Sequence, residues 1–287
     1  HTRLADCQAA LGDVAAAQQS LDRVVAARPG RLLPLLRREL SWPLVWESNA
    51  AIDACRAALA TRLTQWSAER LKIDLAELDG CGAEPPVRLA YQGRDDRGLK
   101  HAFAELFAPL FPRQELPARL GQPHVGWVVT AGHEGIFLRG MAGVLCRLDS
   151  SQLRTTIVCH SSGLAQLKAH LQRLPGGAAI EFLAASSLAS LVTAIRKTRF
   201  DLLYYWEVGT DSTNYFLPYF QLAPLQCTSW GWPVTSGIPG SGLAPISSLL
   251  ARGWSGTIAP CGSGRRLTAA GAAGPGSSSP AWWPSSS

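Results

Sequence analysis

The sequence predicts an α/β protein in two parts: an α-helical region to about residue 112, then a Rossmann-like five-stranded parallel sheet from about residue 124 to 231. Three observations carry that reading. Apolar residues recur three and four apart through most of the first part. The polar, proline-bearing stretch PRQELPARLGQP then breaks the pattern and marks the best domain boundary. Beyond it, short and nearly continuous apolar runs alternate with segments long enough to be crossover helices, as in a parallel sheet covered on both faces.

Residues 1–30, HTRLADCQAALGDVAAAQQSLDRVVAARPG, give two short helices joined at Gly12-Asp13 and stopped by Pro29-Gly30. Ala17, Leu21 and Val24 follow the turn at helical spacing. This order resembles the second half of a tetratricopeptide repeat (TPR), although a generic helical hairpin satisfies the same residues. One such unit cannot bury both faces, so further repeats are expected upstream of a chain that starts at His1 rather than Met. Residues 31–112 continue as a helical linker region. There IDACRAALATRLTQW and AERLKIDLAELDG are expected to be helical, Pro85-Pro86 interrupts, and GLKHAFAELFAPLFP supplies one more amphipathic helix.

From 121 to 239 the order is strand HVGWVV, helix FLRGMAGVLCRL, strand RTTIVCH, helix LAQLKAHLQRL, strand AIEFLA, helix SLASLVTAIRKTR, strand DLLYYWE, helix NYFLPYFQL and strand LQCTSW. No G-x-G-x-x-G follows the first strand and no G-x-x-x-x-G-K-[ST] is present, which argues against a dinucleotide or P-loop site.

Composition narrows the function classes. With 47% hydrophobic and 17% charged residues the chain reads as globular, not disordered. No apolar run approaches the roughly 18 residues of a membrane span, and no signal-peptide pattern opens the chain, so a cytoplasmic protein without membrane contact is expected. The net charge of +6 does not form a stripe: adjacent arginines occur only at Arg37-Arg38 and Arg265-Arg266, and Arg252, Arg265 and Arg266 lie in a tail without acidic residues. Nucleic acid is therefore not an expected partner. The seven cysteines, Cys7, Cys55, Cys81, Cys146, Cys159, Cys227 and Cys261, contain no C-x-x-C spacing and read as reduced thiols. Cys159 and His160, adjacent on a strand, point to opposite faces, and no metal site is expected.

Ligands of open parallel sheets bind at the carboxyl ends of the strands, which directs attention to three loops. TAGHEGIF follows the first strand and holds His133 and Glu134 between glycines. EVGTDSTN follows the fourth, with Glu207, Thr210, Asp211 and Asn214. GWPVTSGIP follows the fifth and offers Trp232, Pro233, Thr235, Ser236 and Gly237 to a polar ligand. Each has a structural alternative: His133 a capping or solvated histidine, Glu207 a charge beside a helix N-terminus, Thr210 or Asp211 an N-cap, and the third loop a turn-rich connector.

The segment FDLLYYWEVGTDSTNYFLPYFQLAPLQCTSWGWPVTSGIP resembles that of the O-linked N-acetylglucosamine transferase (SPINDLY) family, glycosyltransferase family 41, in its bacterial TPR-containing form. That family reads D-I-L-V-x-x-x-G-H-T, A-L-R-P-A-P-I-Q and W-x-G-Y-P-G-T-S-G; the order is kept without gaps from Asp201 to Gly237, and Ala223-Pro224, Gln226, Gly231, Pro233 and Thr235-Ser236-Gly237 coincide. His133 takes the place of a family histidine after the first strand, and PPVRLAYQGRDDRGLKHAFAELFAPLFP looks like the insert between repeats and catalytic region. Departures include Val208-Gly209-Thr210 for G-H-T, Gln221-Leu222 for R-P and Val234 for the glycine of P-G-T, which leaves donor and acceptor open. The resemblance, over roughly residues 1–239, implies the acceptor-side half of a GT-B fold. It implies an inverting, metal-independent protein O-glycosyltransferase that transfers a sugar from UDP-N-acetylglucosamine to Ser or Thr, with no other cofactor. His133 is then the proton acceptor or acceptor-orienting group, and Glu207, Thr210, Asp211, Trp232, Pro233, Thr235, Ser236 and Gly237 are substrate-binding. A protein or peptide acceptor would reach the site along the helical repeats. The competing expectations are a TPR-type peptide-binding scaffold without catalysis, and an α/β carbohydrate- or nucleotide-binding protein of another family.

Residues 240–287 are about half Gly, Ser and Pro with no Asp, Glu or Lys. They begin where the family continues with a motif such as D-W-H, and a one-base shift within codons for Gly242 to Pro245 can yield Asp-Trp-His. A frameshifted tail without a packed core, a missing donor domain and a chain inactive alone are the resulting expectations.

Overall fold

The computed structural model describes residues 1–69, 71–111, 116–117, 121–228, 231–232, 234–238 and 244–245. The chain divides into two units, His1–Gly253 and Trp254–Ser287, and the second lies outside the described residues.

The first unit opens with the expected hairpin, helices α1 (Thr2–Ala10) and α2 (Val14–Ala27). The Asp13 carboxylate caps α2 by accepting from the Ala16 N–H at 2.9 Å. A small core of Ala5, Ala17 and Leu21 joins the two helices. Helix α3 (Leu32–Glu39) and the long α4 (Asn49–Glu69) follow. The helix expected through AERLKIDLAELDG stops with α4, and this is a correction. Lys72 instead pairs with Arg31 as an isolated parallel bridge, its N–H donating to Gly30 O and its C=O accepting from Leu32 N, both at 3.0 Å. Only a 3-10 turn at Leu75–Glu77 remains, so backbone pairing with the 30–32 segment has overridden helical periodicity there. Helix α5 (Arg97–Phe107) completes the region. It is held to α4 by a buried ion pair, Arg56 to Asp96 at 2.9 Å, with Gln92 and the Asp95 carbonyl taking further guanidinium protons.

The sheet contains all five expected strands: β1 (His124–Val128), β2 (Arg154–His160), β3 (Glu181–Ala185), β4 (Leu202–Tyr205) and β5 (Leu225–Thr228). A sixth, β6 (Ala244–Pro245), is a two-residue strand on the edge of β5 and was not expected, because it lies inside the stretch read as a tail. All pairings are parallel, in the order β3-β2-β1-β4-β5-β6. The helices are α6 (Glu134–Leu145), α7 (Leu164–Leu171), α8 (Leu188–Thr198) and α9 (Ser212–Phe216), the last tightening to a 3-10 turn at Leu217–Phe220, where Pro218 lacks an N–H for the α-helical ladder.

Strand β4 shows why the strands read as unbroken apolar runs. Tyr204 and Trp206 face one core, beneath α6 and α7, while Leu203 and Tyr205 face the other, beneath α8 and α9. This second core extends without interruption into Phe103 and Phe107 of α5 and Leu59 and Leu63 of α4. Because β1 leads to β2 and β3 on one side and β4 leads to β5 on the other, the strand order reverses between β1 and β4. A crevice therefore opens at the carboxyl ends of those two strands.

Candidate functional site

His133 and Glu207 meet at that crevice. After β1 the chain turns through Ala131-Gly132, and His133 becomes the N-cap of α6. Its N–H donates to Thr130 O at 3.1 Å and its C=O accepts from Phe137 N at 3.0 Å. The capping reading thus holds for the backbone. Its side chain makes no capping bond and turns instead to Glu207, Nδ1 against Oε1. Glu207 leaves β4 one residue after Trp206, whose N–H donates to Val128 O at 3.1 Å and so brings the β4 loop alongside the β1 loop. The carboxylate is buried at 5% side-chain exposure, whereas the imidazole is 38% exposed.

Asn214 organises the rest of the β4 loop. Its Oδ1 accepts from the N–H groups of Gly209, Thr210 and Asp211 at 2.7, 3.1 and 3.3 Å. Its Nδ2 donates to the hydroxyls of Thr130 at 2.8 Å and Thr210 at 2.6 Å, tying the β4 loop to the end of β1. Asp211 is the N-cap of α9, accepting from Asn214 N at 2.7 Å in a reciprocal capping box. Burial pushes the Asp211 carboxyl above the usual carboxylate range; hydrogen bonds from Asn214 and Thr213 oppose the shift, and the nearby Glu84 and Glu207 add to it. The helical region reaches this loop directly. Ser212 Oγ donates to Glu84 at 2.6 Å and accepts from Gly82 N at 3.0 Å. A cavity of about 400 Å³ lies here, with Asp79, Glu84, Ala131, His160, Ser187 and Asp211 among its walls.

The third loop is seated differently. Gly231 lies so close to β4 that a Cβ on it would come within 2.0 Å of the Trp206 carbonyl oxygen. Trp232 sits beside Tyr91 with ring centroids 6.3 Å apart. The hydroxyls of Thr235 and Ser236 accept from Gly237 N and Ile238 N, each at 3.2 Å. Gly237, at φ +76°, presses on α5, where a Cβ would fall 2.2 Å from Lys100 O. The structure therefore brings His133, Glu207, Thr210 and Asp211 to one end of the sheet with Gly231 at their flank, and seats Gly237 against the helical region. Pro233 and most of residues 240–287 lie outside the described residues. Sequence reasoning placed Asn214 on the β4 loop without assigning it a role, and passed over Thr130 and Ser212. The D-x-x-N spacing of Asp211 and Asn214, a capping-box pattern, was the available signal for the first.

Among the described residues, no three His, Cys, Asp or Glu side chains are grouped to hold a metal ion. The six described cysteines are free, and burial pushes the thiols of Cys81 and Cys159 up to about 11 and that of Cys227 up to about 12. No described helix is long and apolar enough to cross a membrane.

Fold and site define a Rossmann-like parallel α/β unit with a histidine–carboxylate pair at its switch point. No protein-family model matches the chain, and no curated protein matches it. Among solved structures, a point mutant of the O-GlcNAc transferase of Thermobaculum terrenum is similar, with a TM-score of 0.49 and 16% identity over 85% of this chain and 49% of that one. This chain thus spans about half the length of that protein.

Proposed function

We propose that the chain is the acceptor side of an inverting protein O-glycosyltransferase that moves a sugar, N-acetylglucosamine in the first instance, from a UDP-sugar to Ser or Thr of a protein. The observation that supports this is the His133–Glu207 pair at the switch point, with the imidazole reachable from solvent and the carboxylate sealed behind it. In the reaction, the acceptor oxygen bonds to the anomeric carbon as the bond to the diphosphate oxygen breaks. The hydroxyl proton passes to the imidazole of His133, and the nucleoside diphosphate leaves as an anion. Its charge is neutralised from a second, donor-binding domain. The sequence motifs from Asp201 to Gly237 support the family reading, with the β4 and β5 loops framing the acceptor.

Residues 1–287 alone are expected to transfer no sugar and to bind no nucleoside diphosphate sugar tightly. The same residues continued into a donor domain should transfer labelled sugar to peptide, with His133→Ala lowering the rate by roughly 10²–10⁴-fold. Calorimetry on the isolated chain with several UDP- and GDP-sugars is the direct check; tight, saturable binding would place a donor site within these residues and overturn the assignment.

One observation favours a second reading, peptide binding without catalysis. A groove of about 290 Å³ runs between the α1–α2 hairpin and the 82–88 segment, walled by Leu21, Arg37, Trp42 and Arg88 among others. Transfer that survives His133→Ala, or peptide binding lost on Trp42→Ala with no transfer in any longer protein, would favour it.

A further inference from the structure

The sequence offers Glu207 as a substrate-binding group, but its surroundings suit another task. Its carboxylate is 5% exposed, and among the described residues its one ion-pair partner is His133, with no lysine or arginine within reach. Both backbones are anchored: His133 through Thr130 and Phe137, Glu207 through Trp206 on Val128. An ionised carboxylate has no proton to give, so a hydrogen bond to imidazole Nδ1 requires that nitrogen to carry the hydrogen. In a neutral ring the other nitrogen, Nε2, then holds the lone pair. No described residue hydrogen-bonds to Nε2, and the ring is more than a third exposed.

We propose that Glu207 is a positioning residue that locks His133 in the Nδ1–H tautomer and leaves Nε2 facing the crevice as the site that accepts a proton. The inference rests on the proposed function for its purpose but not for its geometry. When the acceptor hydroxyl is deprotonated its proton goes to Nε2, and the resulting imidazolium lies against a carboxylate that is already desolvated and aimed, so little reorganisation is needed as the charge forms. Without Glu207 the ring could rotate or adopt the other tautomer, and Nε2 would offer a hydrogen where a lone pair is needed.

The test is nuclear magnetic resonance on the full chain with ¹⁵N-labelled histidine. The chain has six histidines, and His133 is assigned by the signal lost in His133→Asn. Two-bond proton–nitrogen correlations at a pH where the ring is neutral report which nitrogen is protonated. The expected result is the Nδ1–H tautomer in the wild type and its loss in Glu207→Leu, because no acceptor at position 207 then holds the hydrogen on Nδ1. Glu207→Asp should restore part of the Nδ1–H signal, and the other five histidine signals should stay in place in both variants. A wild-type spectrum showing Nε2–H overturns the proposal by itself, even if a variant fails to fold. An unchanged tautomer in a folded Glu207→Leu overturns it too. The measurement needs no donor or acceptor. A failed transfer assay with the tautomer intact therefore counts against the glycosyltransferase reading, and a wrong tautomer counts against the role of Glu207.

Discussion

Asn214 is 2% exposed and uses both ends of its amide on the loop that presents Glu207 and Asp211. Removing it strands three backbone donors, that of Gly209 buried and those of Thr210 and Asp211 half-buried, and a fully buried unsatisfied group costs about 1–3 kcal/mol. Asn214→Ala is expected to lower stability by about 2–4 kcal/mol, read from the urea midpoint at unchanged slope. Asp211 makes a pH-dependent counterpart. Its carboxyl is held above the usual range by burial, so its contribution to stability is full below the unfolded pKa and is lost as the pH rises through the folded value. Asn caps a helix as well as Asp does, so Asp211→Asn should raise the urea midpoint at pH 7 relative to wild type and bring no such gain at pH 3. A gain of equal size at both values would mean that charge is not the cause. None of this could be read from the sequence beyond the spacing of the capping box, because the shift of Asp211 comes first from its burial in the fold and then from charges that include Glu84, a residue distant in the chain.

At the scale of elements, the strands were the most legible part, since apolar runs such as LLYY have no solvent face to confuse the period. The pairing of the β1 and β4 loops was legible only as topology: two loops at the same end of one sheet. That His133 would touch Glu207, and not merely share its neighbourhood, depends on the Trp206–Val128 bond, which leaves no mark in either motif. The 71–78 segment was misread because its apolar spacing suits a helix while its partner, residues 30–32, is distant in sequence. Helix α5 was anticipated as amphipathic, but not what it covers. Phe107, fully buried, meets Phe216 edge to face with centroids 4.8 Å apart, and Phe111 meets Phe220 at 4.9 Å. Phe107→Ala should cost about 3–5 kcal/mol in chemical denaturation, with the loss shared by α5 and the sheet in one transition.

For the whole of the first unit, the continuous core from α4 and α5 into α8 and α9 argues that the helical region and the sheet fold as one body. A chain shortened to start at residue 121 would leave Phe216, Tyr219 and Phe220 without the aromatic rings of Phe107 and Phe111. It is expected to lose the sharp unfolding transition of the intact chain and to bind hydrophobic dye; a cooperative, dye-negative fragment would show that the sheet stands alone.

Ser212 gives the 79–84 segment a significance its sequence does not announce. Held by Gly82 and holding Glu84, it fastens the α9 end of the β4 loop to residues far earlier in the chain. The length of that early segment is therefore fixed as tightly as that of any strand-to-helix turn. A residue inserted between Asp79 and Glu84 would displace Ser212 first, and through Asp211 its effect would reach Glu207 before it reached any strand of the sheet.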